Sequence, residues 1–297
     1  MGAIEVRDLR KNYGSVAALR GISLTVGKGE IYGLLGQNGA GKTTLVKILL
    51  SIVRATAGRA ALLDREVPHP ESRRRVGYLP EDHRFPEYHT GAGLLDFLGA
   101  LSGMPGAERR RRIPEVLDTV SLRDKAGAKI RTYSKGMRQR LGIAQAILHD
   151  PDVVFLDEPT DGVDPLGRVQ IRDLILRLKQ QGKTVFINSH LLNEVEMISD
   201  RVGILSDGVL VREGRVEDLT RATPRWDIRL EGPFEAALEE LRREFPSIRA
   251  VPGGISADLE STERLNALID RLRAKDLRIA GVARATLEDV FKQAVQP

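Results

Sequence analysis

A chain of 297 residues with 41% hydrophobic and 29% charged residues has the composition of an ordered globular protein, and its length suits one large domain plus a small one. A membrane-spanning helix needs roughly 18 to 20 largely uncharged apolar residues, and the best run here, Leu45 to Val53, already contains Lys47. The lack of cysteine excludes disulfides and thiolate metal sites and fits a reducing cytosol. The opening MGAIEVRDLR lacks the basic and apolar segments of a secretion signal, so the chain is expected to stay where it is made. The net charge of +5 is spread along the chain; two basic runs, Arg73 to Arg75 and Arg109 to Arg112, read as solvated faces in preference to phospholipid contacts.

In chain order, the short β-type runs IEVRDL, ISLTV and IYGLLG, with a Gly27-Lys28-Gly29 turn between the last two, lead into a Gly-rich loop. The apolar spacing of TTLVKILLSIV then predicts a helix, closed by Ala57-Gly58 before a strand near Ala60 to Leu63. From Phe85 to Ile147 the pattern is helical, through LLDFLGAL, RRIPEVLDTV and GMRQRLGIAQAIL. VVFLD, VQIRDLILRLKQQG, TVFINS and RVGILS alternate strand and helix, the pattern of a parallel sheet with crossover helices, and Asp207-Gly208 predicts a hairpin turn. A boundary is expected at Ala222 to Pro224. Beyond it WDIRL, FEAALEELRREF, SIRAV, GISADL, ERLNALIDRLRA and LRIAGV give the order β, α, β, β, α, β of a ferredoxin-like α+β domain, followed by a short helix at LEDVFKQAV. The expected domains are therefore 1–222, with a helical insert at 85–147, and 223–297.

Residues 36–44, GQNGAGKTT, match G-x-x-x-x-G-K-[ST] through Gly36, Gly41, Lys42 and Thr43. Glycines let backbone amides approach phosphates without a Cβ in the way, and the following helix aims its N-terminus at the anion. Gln37, Asn38, Gly39, Ala40 and Thr44 complete the cradle; Lys42 would reach the terminal phosphates and Thr43 would place its hydroxyl on Mg²⁺. The buried run VVFL predicts that Asp157 emerges at a strand's carboxyl end beside this loop, as a metal-holding carboxylate. Glu158 is the candidate general base for an attacking water. The competing reading is a helix N-cap, since Pro159 follows.

Residues 133–142, YSKGMRQRLG, resemble the LSGGQ signature of ATP-binding-cassette (ABC) ATPases. Ser134, Gly136 and Arg138-Gln139-Arg140 match, whereas Tyr133, Lys135 and Met137 replace Leu, Gly and Gln. Ser134 to Gly136 would form an anion half-site that closes on another subunit's nucleotide; the plainer alternative is a Ser N-cap before the amphipathic helix of Met137, Leu141, Ala144 and Leu148. The resemblance covers most of residues 4–219. It implies that Tyr13 stacks on adenine, with a core tyrosine as the competing reading, and that Asp164 communicates between two sites. It also implies that His190 senses the γ-phosphate. VGYLPED, residues 76–82, resembles the loop that normally offers Gln to the metal and attacking water, but here Glu81 holds that position. A carboxylate can approach Mg²⁺ yet cannot donate a hydrogen bond as an amide can. His69, His83, His89 and His149 lack zinc spacing and are assigned to solvent-exposed loops. LEDVFKQAV resembles the end of exporter-type members that carry an extra carboxyl-terminal domain.

What the resemblance implies is an α/β P-loop NTPase of the ABC ATPase fold, with a parallel-sheet core, an antiparallel β-subdomain and a helical insert. Its cofactors would be ATP and Mg²⁺. Its partners would be a membrane-spanning permease and a second copy of itself, or a paralogous ATPase, in a head-to-tail dimer. It would be cytoplasmic, peripheral on the inner face of the cell membrane through the permease, and no nucleic acid is expected. The alternative is a soluble ABC-type ATPase acting on nucleic acid or ribosomes.

Overall fold

The computed structural model describes residues 2–295. The chain forms two compact units, Met1–Glu213 and Gly214–Pro297, a division earlier in the chain than the change of pattern at 222–224.

In the first unit β1 (Ile4–Tyr13) and β2 (Val16–Val26) pair antiparallel, and β3 (Ile31–Leu35) leads through the Gly-rich loop to α1 (Lys42–Leu49). Next come β4 (Ala57–Leu62), β5 (Arg65–Glu66), α2 (Pro70–Arg73) and β6 (Val76–Leu79). The insert contains α3 (Gly91–Leu101), α4 (Gly106–Thr119) and α5 (Lys135–Ile147). The remaining elements are β7 (Val153–Asp157), α6 (Pro165–Gln180), β8 (Thr184–Ser189), α7 (Leu192–Ile198), β9 (Arg201–Ser206) and β10 (Val209–Arg215).

Two sheets result. One is small and antiparallel, in the order β2-β1-β4-β5; the other has the order β10-β9-β3-β8-β7-β6. From β9 to β6 every neighbouring pair is parallel, so these five strands send their carboxyl ends to one edge. Every residue of β3, β7 and β8 is buried, which is why these strands read as continuous apolar runs without alternation. Asp207 and Gly208 join β9 to β10 with φ of 46° and 77°, the two positive angles that a type I′ turn demands.

Local readings needed correction in three places. Ala57-Gly58 does not close the helix: α1 ends at Leu49, Ser51 turns the chain at φ 59°, and Ala57-Gly58 open β4. The run Arg109 to Arg112 is not simply a solvated face. Arg112, 19% exposed, donates to the Ile147 and Leu148 carbonyls that end α5, and Arg109, equally covered, pairs with Asp96 at 2.8 Å. Arg112 thereby closes orphan carbonyls at the end of α5, a structural use of charge. The histidines off the site are half-buried: His69 accepts from the Glu71 amide at the start of α2, and His149 bonds the Val76 carbonyl at 3.0 Å. Burial pushes the His149 imidazole below its ordinary range.

The second unit contains α8 (Val216–Ala222), β11 (Arg225–Glu231), α9 (Glu235–Glu244), β12 (Arg249–Val251), β13 (Gly254–Asp258), α10 (Thr262–Ala274), β14 (Arg278–Arg284) and α11 (Leu287–Val295). Its sheet runs β12-β13-β11-β14 with every pair antiparallel, the strand order of the ferredoxin-like motif. Leu238 and Leu241 of α9 and Leu268 and Leu272 of α10 pack on Ile228, Leu230 and Ile255 of the sheet. The helical spacing of those leucines made both helices legible. Helix α8, which no sequence signal singled out, lies against α11.

Where β1 slips register between Arg7 and Arg10, Gly58 sits at φ +80° with the Asp8 carbonyl oxygen 2.1 Å from where a Cβ would stand. Gly58→Val is therefore expected to cost about 2 kcal/mol or more, through a left-handed backbone angle and a backbone clash. Gly253→Ala, at φ +77° with nothing within 4 Å of the added Cβ, should cost only about 1 kcal/mol. Thermal unfolding of the two variants checks this; equal midpoints would contradict the steric account.

Candidate active site

The loop from Gly36 to Gly41 reverses the chain between β3 and α1. Gly39 and Gly41 take φ of +85° and +109°, and a Cβ on Gly41 would lie 2.6 Å from the Ala18 carbonyl. A Cβ on Gly36 would meet the Leu205 carbonyl at the same distance, so two of these glycines are required by neighbouring backbone. Helix α1 starts without a side-chain cap, which leaves its first-turn amides turned towards the loop cavity. Ala40 is buried and its carbonyl accepts from the Gly208 amide, whereas Gln37, Asn38 and Gly39 are exposed.

Lys42 is 7% exposed, and its ammonium donates to the Gly36 carbonyl at 2.6 Å and the Gln37 carbonyl at 3.2 Å. Burial pulls its pKa down, and the carboxylates of Glu158, Asp157 and Glu81 oppose that shift. Thr43 Oγ1 lies 3.4 Å from Asp157 Oδ2, which ties α1 to the end of β7. Thr44 is half-buried in the same first turn.

Asp157 and Glu158 leave β7 in different directions because Glu158 adopts a left-handed φ of 49°. Asp157, 2% exposed, accepts from Asn188 Nδ2 at 3.1 Å, and its burial raises its pKa. Glu158, 5% exposed, accepts from Ser189 Oγ at 3.2 Å and from the His190 amide at 3.4 Å, and its Oε1 lies 2.9 Å from His190 Nδ1. Gln139 of α5 donates to the Glu158 carbonyl at 3.3 Å. Glu158 caps no helix: α6 begins at Pro165 with Asp164 at its N-cap, so the N-cap reading of the Asp157-Glu158 pair is withdrawn. Glu81, exposed at the end of β6, adds its charge to the same cluster through Lys42 and Asp157.

The cluster thus draws on the carboxyl ends of four adjacent strands, β3, β8, β7 and β6. Asn188, Ser189 and Gln139 are partners that the sequence reading missed. Asn188 and Ser189 had a signal: they are the polar residues ending the otherwise apolar strand TVFINS, where a buried polar group demands a partner.

A second patch lies at the start of α5. Ser134 caps that helix, its Oγ accepting from the Met137 amide at 3.2 Å, as the plainer alternative expected. Lys135 reaches Asp161 at 3.2 Å, and a Cβ on Gly136 would stand 3.2 Å from Val163 Cγ1 and 3.8 Å from Asp164 Oδ1. Among the described residues no hydrogen bond or ion pair joins Ser134, Lys135, Gly136 or Asp164 to the phosphate loop. Tyr13 is 46% exposed with Lys11 Nζ 4.8 Å from its ring centre, which removes the core-tyrosine reading. A groove of about 1100 Å³ opens between β6 and the insert, lined among others by Arg73, Tyr78, His83, Phe85 and Phe97. The Tyr78 phenol is pushed up to about 12 by burial, with Asp157 and Glu81 adding to the shift.

A site that holds a buried carboxylate above its ordinary pKa is destabilised by it. The folded chain binds the Asp157 proton more tightly than the unfolded chain, so the cost is absent below the unfolded pKa of about 3.9 and grows until the folded pKa is passed. Asp157→Asn is expected to raise the thermal midpoint at neutral pH, with the gain shrinking on acidification. Midpoints identical to the parent at neutral pH would contradict this.

Three comparisons place the chain among known proteins. A family model described as ABC transporter matches residues 19–161. An uncharacterized ABC transporter ATP-binding protein of Synechocystis sp. is 43% identical over 281 residues, covering 93% of this chain and 78% of that protein. The Nod factor export ATP-binding protein I of Burkholderia lata is 36% identical over 293 residues, covering 97% of this chain and 95% of that protein. Among solved structures, a dimeric bacterial ABC transporter cassette is similar at 26% identity and a TM-score of 0.65, covering 71% of this chain and 98% of that one. With a family match over the loop-bearing half and a relative aligned along nearly its whole length, the chain belongs to the ATP-binding proteins of ABC transporters and is an ATP-hydrolysing ABC ATPase.

Proposed function

We propose that this chain powers export through a separate membrane permease, and that residues 36–44, Asp157, Glu158, Glu81 and His190 are its hydrolytic site. The observation that carries the reading is the convergence of the Lys42 ammonium, the Thr43–Asp157 pair and the Glu158–His190 pair at one sheet edge. The loop amides and Lys42 would bind the β- and γ-phosphates, and Tyr13 would offer an exposed ring to adenine.

Mg²⁺ fits the residues present. Among the described residues there is no group of three or more His, Cys, Asp or Glu that could cage an ion. Mg²⁺ uses one or two protein oxygens with phosphate and water instead, and Thr43 and Asp157 supply such oxygens. The buried Asn188 Oδ1 lacks a hydrogen-bond donor, which suits a neighbour that keeps part of its water shell. When bound, the ion would supply charge neutralisation to the phosphate oxygens.

Glu158 would accept a proton from the attacking water as its oxygen bonds to the γ-phosphorus and the bond to the ADP oxygen breaks, giving ADP and phosphate. His190 Nδ1, Ser189 Oγ and the His190 amide would hold that carboxylate in line. His190 would then exchange partners with the γ-phosphate.

Ser134 and Lys135, both exposed, and the buried Gly136 make no bond to their own chain's loop and would close on the nucleotide of a second copy or a paralogue, with Asp164 beside Gly136 at the same contact. The dimeric cassette supports that assembly by similarity, and the export relative supports the direction of transport. The groove beside β6 would receive the permease's cytoplasmic segment, so that the protein works at the inner membrane face. No helix of the described residues is long and apolar enough to cross a membrane, which fits a separate permease.

Glu158→Gln is expected to keep ATP affinity, lower hydrolysis by about 10²-fold or more and accumulate an ATP-bound dimer. Phosphate release and light scattering read the two effects, and unchanged turnover would remove Glu158 as the base. Lys42→Ala should lower ATP affinity itself, read by calorimetric titration. Undiminished affinity would overturn the loop assignment.

A further inference from the structure

Glu158 stands in a left-handed backbone conformation, φ 49°, that a residue with a Cβ keeps only when its surroundings hold it there. Three hydrogen bonds do so. Its amide donates to the Asn188 carbonyl at 2.9 Å, and its carbonyl accepts from the Asp161 amide at 3.2 Å and from Gln139 Nε2 at 3.3 Å. The first two join main chain to main chain. The third comes from a side chain, and from a different part of the fold, helix α5 of the insert.

Gln139 is 5% exposed. One turn away on the same helix lie Gly136, Gly142 and Ile143, all buried and none with a polar side chain. The packing of α5 therefore calls for an aliphatic residue at 139, and a primary amide enclosed there is costly unless it is bonded. Its bond to the Glu158 carbonyl meets that demand, whereas a leucine would fill the space and leave the turn unheld.

We propose that Gln139 is a positioning residue for hydrolysis: by holding the Glu158 carbonyl it fixes the turn that aims the Glu158 carboxylate at the attacking water. The proposal rests on Glu158 as the base, assigned above, and adds what sets its direction.

The carbonyl and the side chain of Glu158 leave the same residue, so rotation of the turn towards an ordinary φ moves both. The carboxylate is seated on Ser189 Oγ at 3.2 Å, on the His190 amide at 3.4 Å and on His190 Nδ1 at 2.9 Å. Hydrogen bonds weaken steeply as their angles worsen, so a small rotation of the backbone costs alignment at the carboxylate. A misplacement of about 1 Å in a reacting group can lower a rate by up to about 10²-fold. Lys42 and the loop after β3 are held by bonds of their own, to the Gly36 and Gln37 carbonyls and to Asp157 through Thr43, and among the described residues none of these involves Gln139. Gln139 therefore acts on turnover and not on nucleotide binding.

The test compares Gln139→Met with the parent in steady-state ATPase kinetics and in calorimetric ATP titration of the full chain. Methionine has a similar length and no donor, and the Glu158 carbonyl keeps the Asp161 amide, so folding is expected to survive. Gln139→Glu, isosteric and without a donor when ionised, is the second variant. In Gln139→Met kcat is expected to fall roughly tenfold while ATP affinity stays unchanged. Parental kcat in both variants would overturn the proposal, and so would a loss of ATP affinity large enough to account for the lost turnover. In a Glu158→Gln background, followed in single turnovers, Gln139→Met should lower the residual rate no further; a second loss of the same size would mean that Gln139 acts by a route other than Glu158. Failure of the base itself reads differently. Parental turnover in Glu158→Gln removes the base, whereas lost turnover in Glu158→Gln beside parental turnover in both position-139 variants removes the role of Gln139 alone.

Discussion

The burial of one ammonium among three carboxylates is the constraint on which the first unit turns. Lys42 is nearly removed from water, and its charge is tolerated because loop carbonyls accept its protons and Glu158, Asp157 and Glu81 surround it with opposite charge. Those carboxylates come from the ends of β6 and β7, two strands separated in the chain by the helical insert. Only a parallel sheet brings their ends to the loop after β3, and only buried strands hold them there without exposing unpaired backbone. The fold and the electrostatics therefore depend on each other.

The same cluster divides labour between two carboxylates one residue apart. Asp157 keeps an extended backbone and points to Thr43, while the left-handed turn at Glu158 directs its side chain to Ser189 and His190. A residue with a Cβ in that region of backbone space is costly, roughly 1–2 kcal/mol. The hydrogen bonds of Glu158 to Asn188 through its amide and to Gln139 through its carbonyl offset that cost. Gln139 belongs to α5, the helix that Ser134 begins, so the residue proposed as base and the serine turn proposed for a partner's nucleotide share one rigid element.

The second unit has a core of its own. Its sheet and two leucine-faced helices close it, and the last helix is tied in by Arg225 to Asp289 at 3.0 Å. The basic run on α4 follows the same structural logic, closing the end of α5 through Arg112, although by charge alone it read as a solvated face.

The sequence by itself determined the elements whose signals are local. The phosphate loop, the buried strand before Asp157, the hairpin turn at Asp207-Gly208 and the β, α, β, β, α, β order were legible because glycine placement, apolar runs and helical spacing report on neighbouring residues. Tertiary structure alone decided what depends on distant partners: Asn188 bonding Asp157, Gln139 bonding Glu158, and Gly58 filling the bulge of β1. It also decided that Tyr13 is exposed and that Glu81 lies in the field of Asp157. Burial and charge pairing are properties of packed neighbours, and packing is not written in any short window of the chain.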